Sequence, residues 1–223
     1  MTPTEVAVLI MAKAPRAGMV KTRLHPLLGP QGCARLQAAL LRRTILLAQL
    51  VAPTRTYLAL DPLEAHSELG GWFPADVAVL PQCGPDLGSR MCAASTEVFG
   101  HHHGPLLLIG TDAPTLTAPR LQQAADLVAG GQDAVFGPAV DGGYYLVGMA
   151  RPAPALFAID PALWGGPQVL AASLAAARAA KLRVGLLPSV RDLDTPQDAA
   201  ALLAEGGLPG EIAALLRAGG GPR

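Results

Sequence analysis

Asparagine is absent from this 223-residue chain, and cysteine and lysine occur three times each, against fourteen arginines. Without Asn, oxygen ligands for a hard metal ion must come mainly from Asp or the backbone, with His as the nitrogen alternative. The cysteines, Cys33, Cys83 and Cys92, are odd in number and form no C-x-x-C pair, so neither a disulfide framework nor a thiolate zinc site is indicated. Net charge is also lacking, because 17 basic residues balance 17 acidic ones. That argues against gripping nucleic acid by phosphate neutralisation and gives no support to a polybasic membrane anchor. No apolar run approaches the roughly 20 residues that a membrane span needs. The start of the chain, Met1 to Glu5, lacks a basic region followed by a long apolar one, so secretion is not expected. These absences define the expectation of a reduced cytoplasmic protein with no nucleic-acid partner and no membrane span.

What is present is apolar mass. Hydrophobic residues make up 51% and charged residues 15% of a 22.8 kDa chain, enough to bury a core and offset ordering entropy. The lysines are unevenly placed: Lys13 and Lys21 share one stretch with Arg16 and Arg23.

The apolar pattern predicts strands at Glu5 to Met11, Arg55 to Leu60, Val77 to Leu80, Pro105 to Gly110, Ala134 to Phe136, Tyr144 to Met149 and Arg183 to Leu187. Pro15, Gly18 and Pro26 keep residues 12 to 30 irregular. A helix follows over Gly32 to Val51, with Leu36, Leu40, Leu47 and Val51 as its inner stripe. Asp86 opens a second helix with the stripe Leu87, Met91, Ala94 and Val98. Thr117 and Pro119 start a third, Gln168 to Ala180 form a fourth, and Pro196 begins a closing one. Strands that are apolar throughout and alternate with helices specify a mostly parallel sheet covered on both faces, a three-layer α/β/α sandwich. Residues 1–205 are expected to form one domain, and 206–223 a loose tail around a short helix.

In such sheets ligands bind beyond the carboxyl ends of the strands. After the first strand, Lys13 to Leu24 holds four cations within eleven residues. It is not a P-loop, because Val20 and Pro15 stand where that motif needs Gly, and no G-x-G-x-x-G is present. A glycine-bearing basic loop suits a polyphosphate, although a solvated loop would have the same composition. Gly110-Thr111-Asp112-Ala113-Pro114 follows the fourth predicted strand. With Thr117 available to cap the next helix, Asp112 has no evident structural task and could hold Mg²⁺ beside phosphates. In Asp192-Leu193-Asp194-Thr195-Pro196-Gln197-Asp198, Thr195 and Asp198 match a capping box. Asp192 and Asp194 are left over, and one of them could be a second metal ligand. Asp141-Gly142-Gly143-Tyr144 is either a hairpin turn or a place where glycines admit a ligand beside an aromatic face. Arg90 sits in a helix first turn, where the dipole disfavours a cation, so it calls for an acidic partner or a phosphate. His101-His102-His103 is taken as a solvated turn, and no G-x-S-x-G indicates a serine nucleophile.

Together these segments resemble a family of bacterial GT-A-fold proteins, usually labelled glycosyltransferases of unknown specificity. That family is similar to the guanylyltransferases of molybdenum-cofactor and deazaflavin-cofactor synthesis. The resemblance rests on K-A-P-R-A-G-M-V-K-T-R-L (Lys13 to Leu24), Q-C-G-P-D-L-G-S-R-M (Gln82 to Met91), G-T-D-A-P (Gly110 to Pro114), G-P-A-V-D-G-G-Y-Y-L (Gly137 to Leu146) and D-L-D-T-P-Q-D (Asp192 to Asp198). It implies a nucleotide-diphospho-sugar transferase fold and a transferase using a nucleotide sugar or nucleoside triphosphate, a small-molecule acceptor, and Mg (or Mn). It further implies that Lys21, Arg23 and Asp112 are catalytic, and that Lys13, Gly18, Lys21, Arg23, Gln82, Asp86, Gly88 and Arg90 bind the nucleotide. Asp141, Gly142, Gly143 and Tyr144 would line the acceptor or sugar side, with Asp112 and Asp194 holding the metal. One departure is Trp164-Gly165-Gly166, where family members tend to have Ser or Thr after the Trp. Glycosyl transfer, nucleotidyl transfer with pyrophosphate release, and a non-catalytic nucleotide-binding module all share this clamp.

Overall fold

In the computed structural model, which describes residues 5–65 and 74–219, the apolar runs pair into one sheet. Its strands are β1 (Ala7–Lys13), β2 (Thr56–Asp61), β3 (Ala78–Pro81), β4 (Leu106–Ile109), β5 (Ala134–Pro138), β6 (Tyr144–Met149) and β7 (Val184–Leu186). The helices are α1 (His25–Val51), α2 (Leu87–His101), α3 (Ala118–Ala129), α4 (Val169–Ala179), α5 (Pro196–Glu205) and α6 (Gly210–Gly219). The strand order is β3-β2-β1-β4-β6-β5-β7. Parallel pairs join β1 to β2 and β4, β2 to β3, and β5 to β7, whereas β6 runs antiparallel to β4 and β5. The reversal follows from chain length, since the few residues between β5 and β6 allow a hairpin but no crossover.

Alternation along each strand sends side chains to opposite faces, and both faces are covered. Val8 and Ile10 of β1 pack with Leu41, Ile45 and Ala48 of α1 and Leu121, Ala124 and Val128 of α3. Ala7, Leu9 and Met11 face Met91, Ala94 and Val98 of α2 and Ala177 of α4. This is the expected three-layer α/β/α sandwich. Among the described residues no helix is long and apolar enough to cross a membrane.

Several local expectations change. The first helix begins seven residues earlier than the predicted Gly32, at His25, because a turn before Gly29 is helical. Gly29 (φ 65°) then breaks the backbone ahead of Pro30, and Pro26, expected to keep this stretch irregular, is accommodated in the first helical turn. Leu87 is 43% exposed although it lies on the predicted inner stripe. Thr117 occupies the N-cap position of α3, but its side chain makes no capping bond. His102 is buried, with Nε2 3.1 Å from the Pro105 carbonyl oxygen, so the histidine run is not simply a solvated turn.

The helix predicted within a loose tail is docked. Ile212 and Leu216 of α6 are buried in a third cluster with Leu36 and Leu40 of α1, Leu202 of α5, Leu24 and Leu193. The terminal Gly-Gly-Gly-Pro-Arg lies outside the described residues except for Gly219, as does the N-terminal Met1–Thr4.

The capping box at α5 is present as predicted. Thr195 Oγ1 accepts from the Asp198 N–H at 3.2 Å, and Asp198 Oδ2 accepts from the Thr195 N–H at 2.9 Å. Replacing Thr195 by Ala is expected to cost about 1 kcal/mol, the usual worth of an N-cap, in a urea unfolding titration. No change in midpoint would mean that packing of Leu202 alone holds the helix.

Candidate functional site

The chain leaves β1 toward β2 on one side and returns as β4 on the other, so the order in which strands are laid down reverses between the parallel β1 and β4. Such a switch opens a crevice at the carboxyl ends of the strands. Here that crevice is a cavity of about 720 Å³, lined by Lys13, Lys21, Arg23, Gln82, Asp86, Arg90, Asp112, Asp141, Gly143, Tyr144, Trp164, Asp192 and Asp194 among others. The segments that are far apart in sequence therefore converge on one volume.

At its floor is Lys21. Its ammonium lies 2.6 Å from Asp112 Oδ1 and 2.8 Å from Asp194 Oδ1, and it donates to the Leu193 carbonyl at 2.8 Å. The side chain is only 5% exposed, while those of Asp112 and Asp194 are 48% and 37% exposed. Burial is the largest influence on Lys21 and favours losing the proton. The adjoining Asp112 and Asp194 together outweigh it, so the pKa of Lys21 is raised and the residue stays charged. Its backbone is left-handed (φ 50°, ψ 39°), an uncommon conformation for a residue with a Cβ. Two bonds to its carbonyl brace the turn, from the Leu24 N–H at 2.8 Å and from the buried Cys33 thiol at 3.3 Å.

Leu193 explains how two aspartates reach one place. Fully buried in the third cluster, it anchors the segment, and its N–H donates to the Asp112 carbonyl at 2.9 Å. Asp192 and Asp194, on either side of it, both line the cavity. Asp192 makes no ion pair with Lys21. Burial, reinforced by Asp141, Asp112 and Asp194, pushes its carboxyl up to about 8, and Lys21 only partly opposes this.

Other predicted residues have structural tasks. Asp86 is the N-cap of α2: its carboxylate accepts from the Ser89 N–H (2.9 Å) and the Ser89 hydroxyl (2.7 Å), which hold its pKa below the usual range. Arg90 finds the acidic partner that its position called for, pairing with Asp61 at 3.0 Å and donating to the Gly84 carbonyl at 3.1 Å. The Gln82 amide donates to the carbonyls of Ala12 (3.0 Å) and Ala59 (2.8 Å), tying down the ends of β1 and β2. Lys13 and Arg23 are exposed on the cavity wall and form no ion pair among the described residues.

Two glycines expected to bind nucleotide do not line the cavity. Gly18 (φ 82°) makes an outer turn with open space around it. Gly88 lies under Trp164, whose indole is 2.6 Å from where a Cβ would stand, so its lack of a side chain serves packing. Of the acceptor-side group, Asp141 and Gly143 form the hairpin turn, with the Gly143 N–H donating to Asp141 Oδ1 at 2.9 Å. Gly142 (φ 92°) is pressed against the Pro167 backbone and also does not line the cavity. Tyr144 lines the cavity, packed edge-on to Phe136 (5.1 Å) and Trp164 (6.5 Å) with its hydroxyl buried, and that burial raises its pKa. Trp164, Gly165 and Gly166 line the wall too, although the segment departs from the family pattern.

Two supporting residues escaped the sequence reading. Gln37 of α1 is buried and donates to the Lys13 carbonyl (3.1 Å) and the Thr111 hydroxyl (3.3 Å), joining the ends of β1 and β4. Arg43 donates from Nε to the Pro114 carbonyl (2.9 Å) and from Nη2 to the Leu116 carbonyl (2.6 Å), holding the loop that carries Asp112. The available signal was a Gln on the buried face of an apolar helix.

The chain matches the family of uncharacterised proteins conserved in bacteria, DUF2064, over residues 44–162, and it belongs to that family. Among solved structures it is similar to a provisionally named nucleotide-diphospho-sugar transferase from Desulfovibrio desulfuricans G20. The two are 29% identical over 96% of this chain and 95% of the other, with a TM-score of 0.86. More distant likenesses, which show the fold, include a cytidylyltransferase from Leptospira borgpetersenii serovar Hardjo-bovis (13% identity, 96% and 93% covered, TM-score 0.54). Another is Rv0371C of Mycobacterium tuberculosis H37Rv in complex with manganese (19% identity, 90% and 98% covered, TM-score 0.51). No curated protein matches the chain. The fold is that of the nucleotide-diphospho-sugar transferase superfamily, as the sequence resemblance implied.

The raised carboxyl of Asp192 gives a stability signature. Its folded pKa exceeds its unfolded one, so folding is unimpeded below about pH 4 and loses stability as the pH rises from there to about 8. Asp192→Asn removes that loss. In chelator-treated buffer its stabilisation over the parent is expected to grow from near zero at pH 4 to on the order of 1–3 kcal/mol at pH 8.5. An equal difference at both pH values in denaturant titrations would contradict the crowded-carboxylate geometry.

Proposed function

We propose that this chain is a transferase that uses an activated nucleotide, with glycosyl transfer from a nucleotide sugar as its reaction. The reading is carried by one juxtaposition: the cations Lys13 and Arg23 and the carboxylates Asp112 and Asp194 line the same cavity at the β1/β4 switch. Lys13 and Arg23 engage the phosphates, Lys as a point charge and Arg as a fork. The acceptor and sugar lie against the wall formed by Asp141, Gly143 and Tyr144, and Trp164 extends that wall.

The donors present fit a divalent cation. Among the described residues no three His, Cys, Asp or Glu side chains group as ligands, but Mg²⁺ takes few protein ligands and keeps its waters. The Asp112 and Asp194 carboxylates already gather about a cation, the Lys21 ammonium, and Asp141 lines the same cavity. An all-oxygen set of this kind suits Mg²⁺ or Mn²⁺. Held by Asp112 and Asp194, such an ion would offset the charge that builds on the departing phosphates.

In the reaction, an acceptor oxygen bonds to the anomeric carbon as that carbon's bond to the nucleoside diphosphate breaks. The acceptor's proton is taken by Asp141, the exposed carboxylate of the acceptor wall. A second reading, nucleotidyl transfer, is favoured by the four cations between Lys13 and Arg23, which match the higher charge of a triphosphate. There a phosphate acceptor attacks the α-phosphorus and pyrophosphate leaves.

Product analysis with a panel of nucleoside triphosphates and nucleotide sugars in Mg²⁺ separates the readings. Nucleoside diphosphate release is expected for the first and pyrophosphate release for the second; tight binding with neither product would mean a non-catalytic nucleotide-binding module. Asp112→Ala is expected to abolish Mg²⁺-dependent nucleotide binding in calorimetry while the thermal melt stays cooperative. Unchanged binding would remove Asp112 from the site.

A further inference from the structure

An ammonium has three N–H donors. Those of Lys21 meet three oxygens: Asp112 Oδ1 at 2.6 Å, Asp194 Oδ1 at 2.8 Å and the Leu193 carbonyl at 2.8 Å. No donor remains for a phosphate, and the side chain is 5% exposed. A lysine that clamps phosphate must therefore first give up part of this cage. The same two carboxylates are those that fit a metal ion, so the ammonium and the ion contend for one pair of oxygens.

We propose that Lys21 is a tethered counter-cation that holds the Asp112–Asp194 pair closed to free divalent metal and yields it only when a phosphate group draws the ammonium away. The inference rests on the metal and phosphate assignments above. The backbone of Lys21, in its left-handed turn, is braced at the carbonyl by Leu24 and Cys33, while the ammonium is held by the three oxygens. In this proposal release is a change of side-chain rotamer above a backbone that stays in place. Its consequence is an order of binding, in which metal alone binds weakly and metal with phosphate binds well. Electrostatically, exchange keeps a cation between the two carboxylates throughout, a divalent ion taking the place of a univalent one. With that ammonium absent and no metal in its place, the adjoining Asp112 and Asp194 carboxylates would repel a phosphate group.

The test compares Mn²⁺ binding, followed by loss of the free-ion paramagnetic resonance signal, in the parent protein, Lys21→Met and Lys13→Met, all without phosphate. Lys21→Met is expected to bind Mn²⁺ at least about tenfold more tightly than the parent, a coupling within the usual range between linked sites. Lys13→Met removes the same charge from the same cavity wall but frees no carboxylate, and is expected to change the affinity by less than about threefold. Equal gains in both variants, or none in Lys21→Met, overturn the proposal.

The parent protein supplies a readout that needs no variant to fold. The chain has three lysines, so ¹⁵N-lysine labelling gives three side-chain ammonium signals at most. The Lys21 signal is expected to stay in place in millimolar Mg²⁺ and to move when inorganic tripolyphosphate is added with Mg²⁺. Movement in Mg²⁺ alone, or none in the presence of both, overturns the proposal. Nucleotide turnover is scored separately. Tight Mn²⁺ binding by Lys21→Met without any nucleotide product would keep the exchange and reject the transferase reading, whereas turnover with no gain in Mn²⁺ affinity would do the reverse.

Discussion

The contact between the Lys21 ammonium and the carboxylates of Asp112 and Asp194 joins three stretches of chain that are far apart in sequence. Lys21 belongs to the loop after β1, Asp112 follows β4, and Asp194 precedes α5. A buried ammonium is tolerable only if it is surrounded by acceptors, and two carboxylates with one carbonyl supply them. The rest of the architecture can be understood as a way of delivering these groups. β1 and β4 lie side by side at the switch in the sheet, and buried Leu193 seats the last segment in the cluster shared by α1, α5 and α6.

Rigid support comes from α1. Gln37 links the ends of β1 and β4 and Arg43 holds the Pro114–Leu116 loop, so two polar side chains on one helix set the separation of Lys13 from Asp112. Gln82 performs a similar task on the other side, bridging the ends of β1 and β2. These bonds are mostly to backbone carbonyls. They keep the strand ends from spreading and leave the ionisable groups free to face the cavity.

Much of the fold was legible because it follows from local rules. Apolar runs gave the strands, the capping box gave the start of α5, and alternation of strand and helix gave a mostly parallel, doubly covered sheet. The site was legible in part. Motif segments located the loops, yet within them the sequence could not assign tasks: Asp86 caps a helix, Arg90 pairs with Asp61, Gly88 makes room for Trp164, and Gly18 sits on an outer turn. Apart from Asp86, whose cap on Ser89 is local, these residues answer to a neighbour distant in sequence or to a backbone angle, and neither is encoded by residue type and spacing.

By itself, the sequence determined the layered sheet, the balanced net charge and the clustering of cations after the first strand, because these depend on composition and periodicity. Only the tertiary structure decided that two of the leftover aspartates flank a buried leucine, that Asp192 is crowded into a raised pKa, and that Lys21 is spent on carboxylates instead of standing free. The physical reason is that desolvation and Coulomb energy depend on distance and burial. Residues 21, 112 and 194 acquire both only when the sheet brings their loops together.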